Sequence, residues 1–260
     1  MTRVTDFIRR GLLYLLLLQL GVMSLAYNVG AGLLHPLVRP PRATQLGRAG
    51  IARGYRWFWA SARACGMMQI DAAALDALHF EAGGLIVAAN HPTMLDALVL
   101  VSRLPRSVCI MKAALMRNVF LGAGARLARY ICNDSPRGMV RSAVECLREG
   151  GQLVMFPEGT RTAERPISPF RPGIALIARL AQVPIQTVLI ETDTPYLGKG
   201  WPIWRPPALP IRIRVRLGER FAPEADDAAL LQELERYFAR ELRGAPLAAP
   251  EALAATEGIV

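Results

Sequence analysis

The chain has 260 residues, of which 52% are hydrophobic and 20% charged. That length suits one α/β domain with extra segments and excludes a multidomain machine; the composition is too apolar for a disordered chain and high for a soluble enzyme. Thirty-one basic residues against 21 acidic ones leave a formal net charge of +10, and only Lys112 and Lys199 are lysine, so an arginine-dominated surface is fitted to phosphates, those of an anionic membrane or of a nucleic acid.

Residues 11–34 carry no charge and are flanked by Arg3, Arg9 and Arg10 on one side and Arg39 and Arg42 on the other. At ~1.5 Å per residue the run makes about 36 Å of helix, enough to cross a hydrocarbon core of about 30 Å with some tilt. Three readings stand: a spanning anchor; an interfacial or re-entrant helix broken at Gly21 or around Asn28 and Gly30; and a secretory leader ending near Ser24-Leu25-Ala26, for which the run is long. Arginine at both ends weakens the positive-inside rule. The rest of the chain is nevertheless far more basic than the residues ahead of the run, which places the main domain in the cytoplasm. Residues 43–66 bring Leu46, Ile51, Tyr55, Trp57, Phe58 and Trp59 among several arginines. This is the composition of an amphipathic helix that either binds the interface or packs on the main domain.

From residue 68 onward short apolar runs alternate with helical patterns. Residues 84–89, 107–111, 151–156 and 184–190 read as buried strands, and residues 94–103, 119–128, 138–148 and 173–181 as helices. The predicted class is α/β, a mixed sheet flanked by helices. Residues 211–217 alternate strictly, giving a half-exposed strand near an edge with Arg212, Arg214 and Arg216 on one face, toward lipid headgroups or plain solvent. Residues 226–243 make a charged closing helix. The four cysteines, Cys65, Cys109, Cys132 and Cys146, show no C-x-x-C pair and no histidine at ligand spacing; they are read as reduced and mostly buried, and no metal site is expected.

Of the three histidines, His35 ends the apolar run and His79 sits between Leu78 and Phe80 as a structural residue. His91 directly follows a strand, in Asn90-His91-Pro92-Thr93-Met94-Leu95-Asp96. Open α/β sheets build their sites at strand carboxyl ends, and proline suits a first helical position. A carboxylate at Asp96, early in that helix, can curl back to the imidazole Nδ1–H and leave Nε2 facing a cleft, a general base with its orienter. No serine or cysteine nucleophile stands at a recognisable spacing, so acyl transfer here would use the substrate's own hydroxyl.

The block from Asn90 to Asp96 resembles the N-H-x4-D signature of the lysophospholipid (1-acylglycerol-3-phosphate) acyltransferase family. Phe156-Pro157-Glu158-Gly159-Thr160-Arg161, Phe170-Arg171-Pro172-Gly173 and Val183-Pro184-Ile185 match its later blocks in order. The resemblance covers residues 68–220 and implies a glycerolipid acyltransferase-like fold. The organisation expected is an N-terminal membrane anchor at 1–40, an amphipathic aromatic-rich helix at 41–67, an acyltransferase domain with its C-terminal helix at 68–243, and a disordered tail at 244–260.

By that resemblance, His91 removes the proton from an acceptor hydroxyl that attacks the thioester of acyl-CoA or acyl carrier protein, and Asp96 stabilises the imidazolium. No cofactor is implied beyond that co-substrate. Glu158, Gly159, Thr160 and Arg161 are implied in substrate binding: Glu158 positions the acceptor hydroxyl or orders the loop, Gly159 permits a tight turn, and Arg161 offers a planar fork to a phosphate. Lys112 and Arg171 are further candidates for phosphate contact, and Met94, Met111 and Met116 line an acyl channel or fill the core. Where many members carry Asp-Arg, Tyr130-Ile131-Cys132-Asn133-Asp134 has no arginine before Arg137. This departure turns attention from lysophosphatidic acid to a specialised lipid pathway, such as that of aryl polyenes or ornithine lipids. The implied partners are membrane lipids and the acyl carrier, without nucleic acid, at the inner (cytoplasmic) membrane. Two competing readings remain: a non-catalytic basic module binding membrane or nucleic acid, without any RNA-recognition or zinc-finger signature, and a lipid hydrolase that uses water.

Overall fold

In the computed structural model, which describes residues 2–163 and 166–243, the short apolar runs pair into one seven-stranded sheet. Its strands are β1 (Met68–Asp71), β2 (Leu85–Ala89), β3 (Ser107–Met111), β4 (Ile131–Cys132), β5 (Gln152–Met155), β6 (Ile185–Thr192) and β7 (Ile211–Phe221). They lie in the order β1-β7-β6-β2-β5-β3-β4. All neighbours are parallel except β6 and β7, the mixed sheet expected from the sequence. β2 is buried at every position, as a strand covered on both faces should be. The tail expected at 244–260 lies outside the described residues.

The helices are α1 (Thr2–Leu34), α2 (Pro40–Ala64), α3 (Leu95–Arg103), α4 (Ala113–Met116), α5 (Gly122–Leu127), α6 (Pro136–Arg148), α7 (Gly173–Ala181) and α8 (Asp227–Glu241), with a 3₁₀ segment at Ala73–Phe80. Side chains set several boundaries. Ser135 caps α6 through Gly138 N–H at 3.3 Å, with Pro136 opening the helix; Asp226 caps α8 through the N–H groups of Ala228 and Ala229. The helix expected at 119–128 is shorter because a turn held by Asn118 Oδ1, which accepts from Phe120 N–H, occupies its start.

One face of the sheet carries a core built around Phe58, Leu75, Val87 and Leu100 under α1, α2 and α3; the other is built around Ile86, Leu153, Ile174 and Phe238 under α6, α7 and α8. α1 is long and apolar enough to cross a membrane from Phe7 to Leu34, yet Leu13, Leu16 and Ala31 are buried within the protein. It runs unbroken through Gly21 and Asn28, against the expectation of a break. Asn28 is a clamp instead: its Nδ2 donates to Val119 O and its Oδ1 accepts from Gly124 N–H. The opposite side of α1 is an exposed apolar stripe of Leu15, Leu18, Val22, Val29 and Leu33. α2 packs on α1, α3 and α5, burying Phe58 and Trp59 while Trp57 stays exposed.

β7 lies second from the edge and is half-exposed with alternating burial, as expected. Two further expectations are corrected. The arginines of β7 are not simply a solvated or lipid-facing row: Arg216 pairs with buried Glu191 at 2.9 Å and Arg212 with Asp193 at 3.5 Å, while Arg214 is exposed. Carboxylates on β6 and just after it take up charge that sequence spacing left open. Of the four cysteines, all free, only Cys109 is buried; Cys65 is exposed and the other two are half-buried.

α2 approaches α5 closely because Gly47 lacks a side chain: a Cβ there would stand 2.7 Å from Ala128 N and 2.8 Å from the Leu127 carbonyl carbon. Both neighbours are backbone and cannot swing aside. Gly47→Ala is therefore expected to destabilise the protein by about 1–2 kcal/mol despite the better helix propensity of alanine, measured as a lower denaturation midpoint.

Candidate active site

β2 and β5 are parallel neighbours with Ala88 opposite Met155, so the segments after them emerge side by side at one end of the sheet. His91, just after β2, and Glu158, just after β5, meet there. The Asn90 side chain first ties the chain to β6: Nδ2 donates to Ile190 O at 2.8 Å, and Oδ1 accepts from Ile190 N–H at 2.7 Å.

His91 Nδ1 stands 3.0 Å from Asp96 Oδ2. Asp96 has 0% exposure and receives two further donors, Thr93 N–H on Oδ2 and Thr93 Oγ1–H on Oδ1, both at 2.7 Å. Leu95 N–H donates to Thr93 Oγ1, which turns that hydroxyl's proton toward the carboxylate. Complete burial pushes the Asp96 carboxyl up from its ordinary value; the hydrogen bonds from His91 and Thr93 pull it down. With Thr93 donating to both oxygens the carboxylate acts as acceptor, an arrangement that favours a proton on His91 Nδ1 and leaves Nε2 to face the cavity. The ring stacks on Phe156 at 3.9 Å between centroids and lines a cavity of about 1330 Å³.

Glu158, 2% exposed, is spent on the protein. Its Oε1 accepts from His91 N–H at 3.0 Å and Thr162 Oγ1–H at 2.7 Å, and its Oε2 from Ser168 N–H at 2.9 Å. Thr162 N–H returns a bond to His91 O. Of the two roles read from the resemblance, this geometry fits loop ordering. Gly159 makes the turn at φ +70°, its N–H bonded to Phe156 O, and the Arg171 side chain lies over it. Among the described residues Arg161 forms no ion pair, and it is not wholly free for phosphate: Nη1 donates to Leu197 O and Gly198 O, both at 2.9 Å.

Gly159, Thr160, Arg161, Lys112 and Arg171 all line the same cavity as His91, as do Met94 and Met111. Met116 and Arg137 are not among its lining residues. Lys112 and Arg171 are exposed and cationic at its mouth. Sequence reasoning missed Thr93, whose two bonds fix Asp96, and Phe156 as the platform for the ring. Both lie within the motif blocks, so position alone flagged them without a role. His79, read as structural, contacts Arg103 O and Asp76 through Nε2. Among the described residues no group of three or more histidine, cysteine or acidic side chains is placed to hold a metal.

A buried carboxylate, an imidazole held through one nitrogen, and a cavity edged by cations meet at the carboxyl end of the α/β sheet. The family model described as Acyltransferase matches residues 73–191. A Helicobacter pylori protein named 1-acyl-sn-glycerol-3-phosphate acyltransferase is 28% identical over 170 residues, 62% of this chain and 70% of that protein. The crystal structure of the 1-acyl-sn-glycerophosphate acyltransferase PlsC from Thermotoga maritima superposes with a TM-score of 0.68 at 18% identity, covering 98% of each chain, and shares the fold. Residues 73–191 thus resemble an acyltransferase domain, and the chain is similar to a protein named 1-acyl-sn-glycerol-3-phosphate acyltransferase.

Two substitutions separate charge from scaffold. In Asp96→Asn the amide oxygen can keep the His91 and Thr93 N–H bonds, while the amide N–H₂ donates to Thr93 Oγ1. Because burial raises the Asp96 carboxyl, its ionised form costs stability once pH exceeds the ordinary carboxylate range, and removing the charge relieves that cost. Chemical denaturation at neutral pH should show a loss of no more than about 1 kcal/mol, while turnover falls at least about 100-fold. Glu158→Gln places an N–H₂ where only donors converge, leaving a buried donor unpaired; the same denaturation assay should record a loss of about 1–3 kcal/mol.

Proposed function

We propose that this protein is a membrane-surface O-acyltransferase that moves a fatty acyl group from acyl-CoA or acyl carrier protein to the hydroxyl of a lysophospholipid-like acceptor. The observation that carries this reading is the His91–Asp96 pair at the mouth of the cavity. His91 Nε2 takes the acceptor's proton as its oxygen attacks the thioester carbonyl; Asp96 offsets the imidazolium charge. Collapse of the tetrahedral intermediate breaks the carbon–sulfur bond, and the departing thiolate takes the proton from His91. Oxygen of the acceptor replaces sulfur of the donor, with no acyl-enzyme. Lys112, Arg171 and the free end of Arg161 hold the acceptor's phosphate, and Gly159 and Thr160 shape the wall beside it.

The membrane association fits an in-plane helix better than a spanning one. α1 packs side-on through Leu13, Leu16 and Ala31, and a helix bound along a polar domain cannot place the same stretch across hydrocarbon. Its exposed stripe, with Ile203 and Trp204 beside it where Tyr14 Oη donates to Trp204 O, suits the interface of the cytoplasmic leaflet. A lysolipid acceptor then stays at high local concentration. A second reading of the acceptor, a specialised lipid in place of lysophosphatidic acid, is favoured by the position of Arg137, outside the cavity lining.

The test is His91→Ala with acyl-CoA and acyl carrier protein offered against a panel of lysolipids, products identified by mass spectrometry. Transfer should fall at least about 1000-fold with an unchanged melting curve. Retained turnover in the variant contradicts the mechanism, and free fatty acid formed at full rate without acceptor points to a hydrolase.

A further inference from the structure

The cavity does more than open at His91. Met94 and Val101 both line it from the same side of α3, so it runs about 10 Å along that helix, at ~1.5 Å per residue. There it passes under α2, where Tyr55, Tyr130 and Cys109 line it together with Leu98, Val101 and Ala125. Tyr130 precedes Ile131, which is paired with Ile110 on β3, so Tyr130 stands beside Cys109; Tyr55 reaches the same place from α2. The three groups are near enough to perturb one another's ionisation.

Among the described residues, neither phenol has a hydrogen-bond partner, in contrast to Tyr27, whose hydroxyl donates to Gly47 O. Trp59 Nε1, Ser107 Oγ and Tyr196 Oη are unpartnered but sealed; the Tyr55 and Tyr130 hydroxyls keep accessible surface, and the space beside them is the cavity. Burial pushes the Tyr55 phenol up to about 12 and Tyr130 well above its ordinary value, so both stay protonated and able to donate. A polar group left unpaired in an apolar site is costly, and sites built this way discriminate by hydrogen bonding.

We infer that Tyr55 and Tyr130 form a polar subsite in the far part of the acyl cavity, selecting a donor chain that carries a hydroxyl or oxo oxygen distant from its thioester. The inference rests on the acyltransferase reading above. An unsubstituted alkyl chain leaves both phenols unpaired; an oxygen on the chain accepts from one, and a hydroxyl also donates to the other. Cys109, buried and free, supplies a soft wall without competing strongly for the bond.

The experiment measures binding, independent of turnover. Palmitic acid and its mid-chain and terminal hydroxy derivatives displace a fluorescent fatty acid from the full-length protein in detergent, with wild type, Tyr55→Phe, Tyr130→Phe and the double variant compared so that partitioning into micelles cancels. At least one hydroxy acid should bind wild type about tenfold or more tightly than palmitic acid; each single variant should lose part of that preference, and the double variant should bind the two acids alike. Equal binding by wild type, or a preference that survives in the double variant, overturns the subsite. A preference that depends on both tyrosines in a protein with no acyl transfer to any lysolipid supports the subsite and counts against the catalytic reading.

Discussion

Three donors converge on one fully buried carboxylate, and the geometry of the site follows from them. Asp96 can lie at the base of α3 only because Thr93 satisfies both of its oxygens and His91 adds the third bond. In exchange, the imidazole loses its freedom: Nδ1 is committed, Phe156 covers one ring face, and Nε2 is the remaining nitrogen. Glu158 does for the backbone what Asp96 does for the ring, gathering His91 N–H, Thr162 and Ser168 onto one side chain. Two acidic residues thus hold one histidine, one through its ring and one through its backbone.

That arrangement depends on strand order more than on chain order. His91 and Glu158 are separated by 67 residues, and they meet because β2 and β5 are parallel neighbours of equal reach. The base stands at the sheet's carboxyl end. The apolar cavity runs from it beneath the N-terminal helices, whose small residues allow the close approach, as at Gly47 against Ala128. α1 and α2 therefore serve both surfaces at once. Their inner sides bound the cavity, and the outer side of α1 presents leucine and valine to the surroundings.

Much of this was legible beforehand, and the reasons differ by element. The buried parallel strands were read almost residue for residue, since a run such as Leu85–Ala89 has few other uses. The His91–Asp96 contact followed from the step between a strand end and the first turns of a helix. What the sequence did not disclose were partners contributed by distant strands and loops. Spacing marked Arg212 and Arg216 as one row but said nothing of Asp193 and Glu191 opposite. Arg161 looked free for phosphate until the Leu197 and Gly198 carbonyls arrived on Nη1. Asn28 resembled a helix break because a polar residue in an apolar run gives no sign that its amide will meet Val119 and Gly124. Tyr55 looked like core or interface, and Tyr130 had no role of its own, until the fold placed both on the cavity.

The central claim is that Asp96 holds His91 through Nδ1 and leaves Nε2 facing the cavity. Nitrogen NMR of the full-length protein labelled at histidine reads this directly, with the His91 resonances assigned by their loss in His91→Gln. In the neutral form of the ring the account predicts a protonated Nδ1 and an unprotonated Nε2 for His91. A neutral ring with its proton on Nε2 and Nδ1 bare would contradict it.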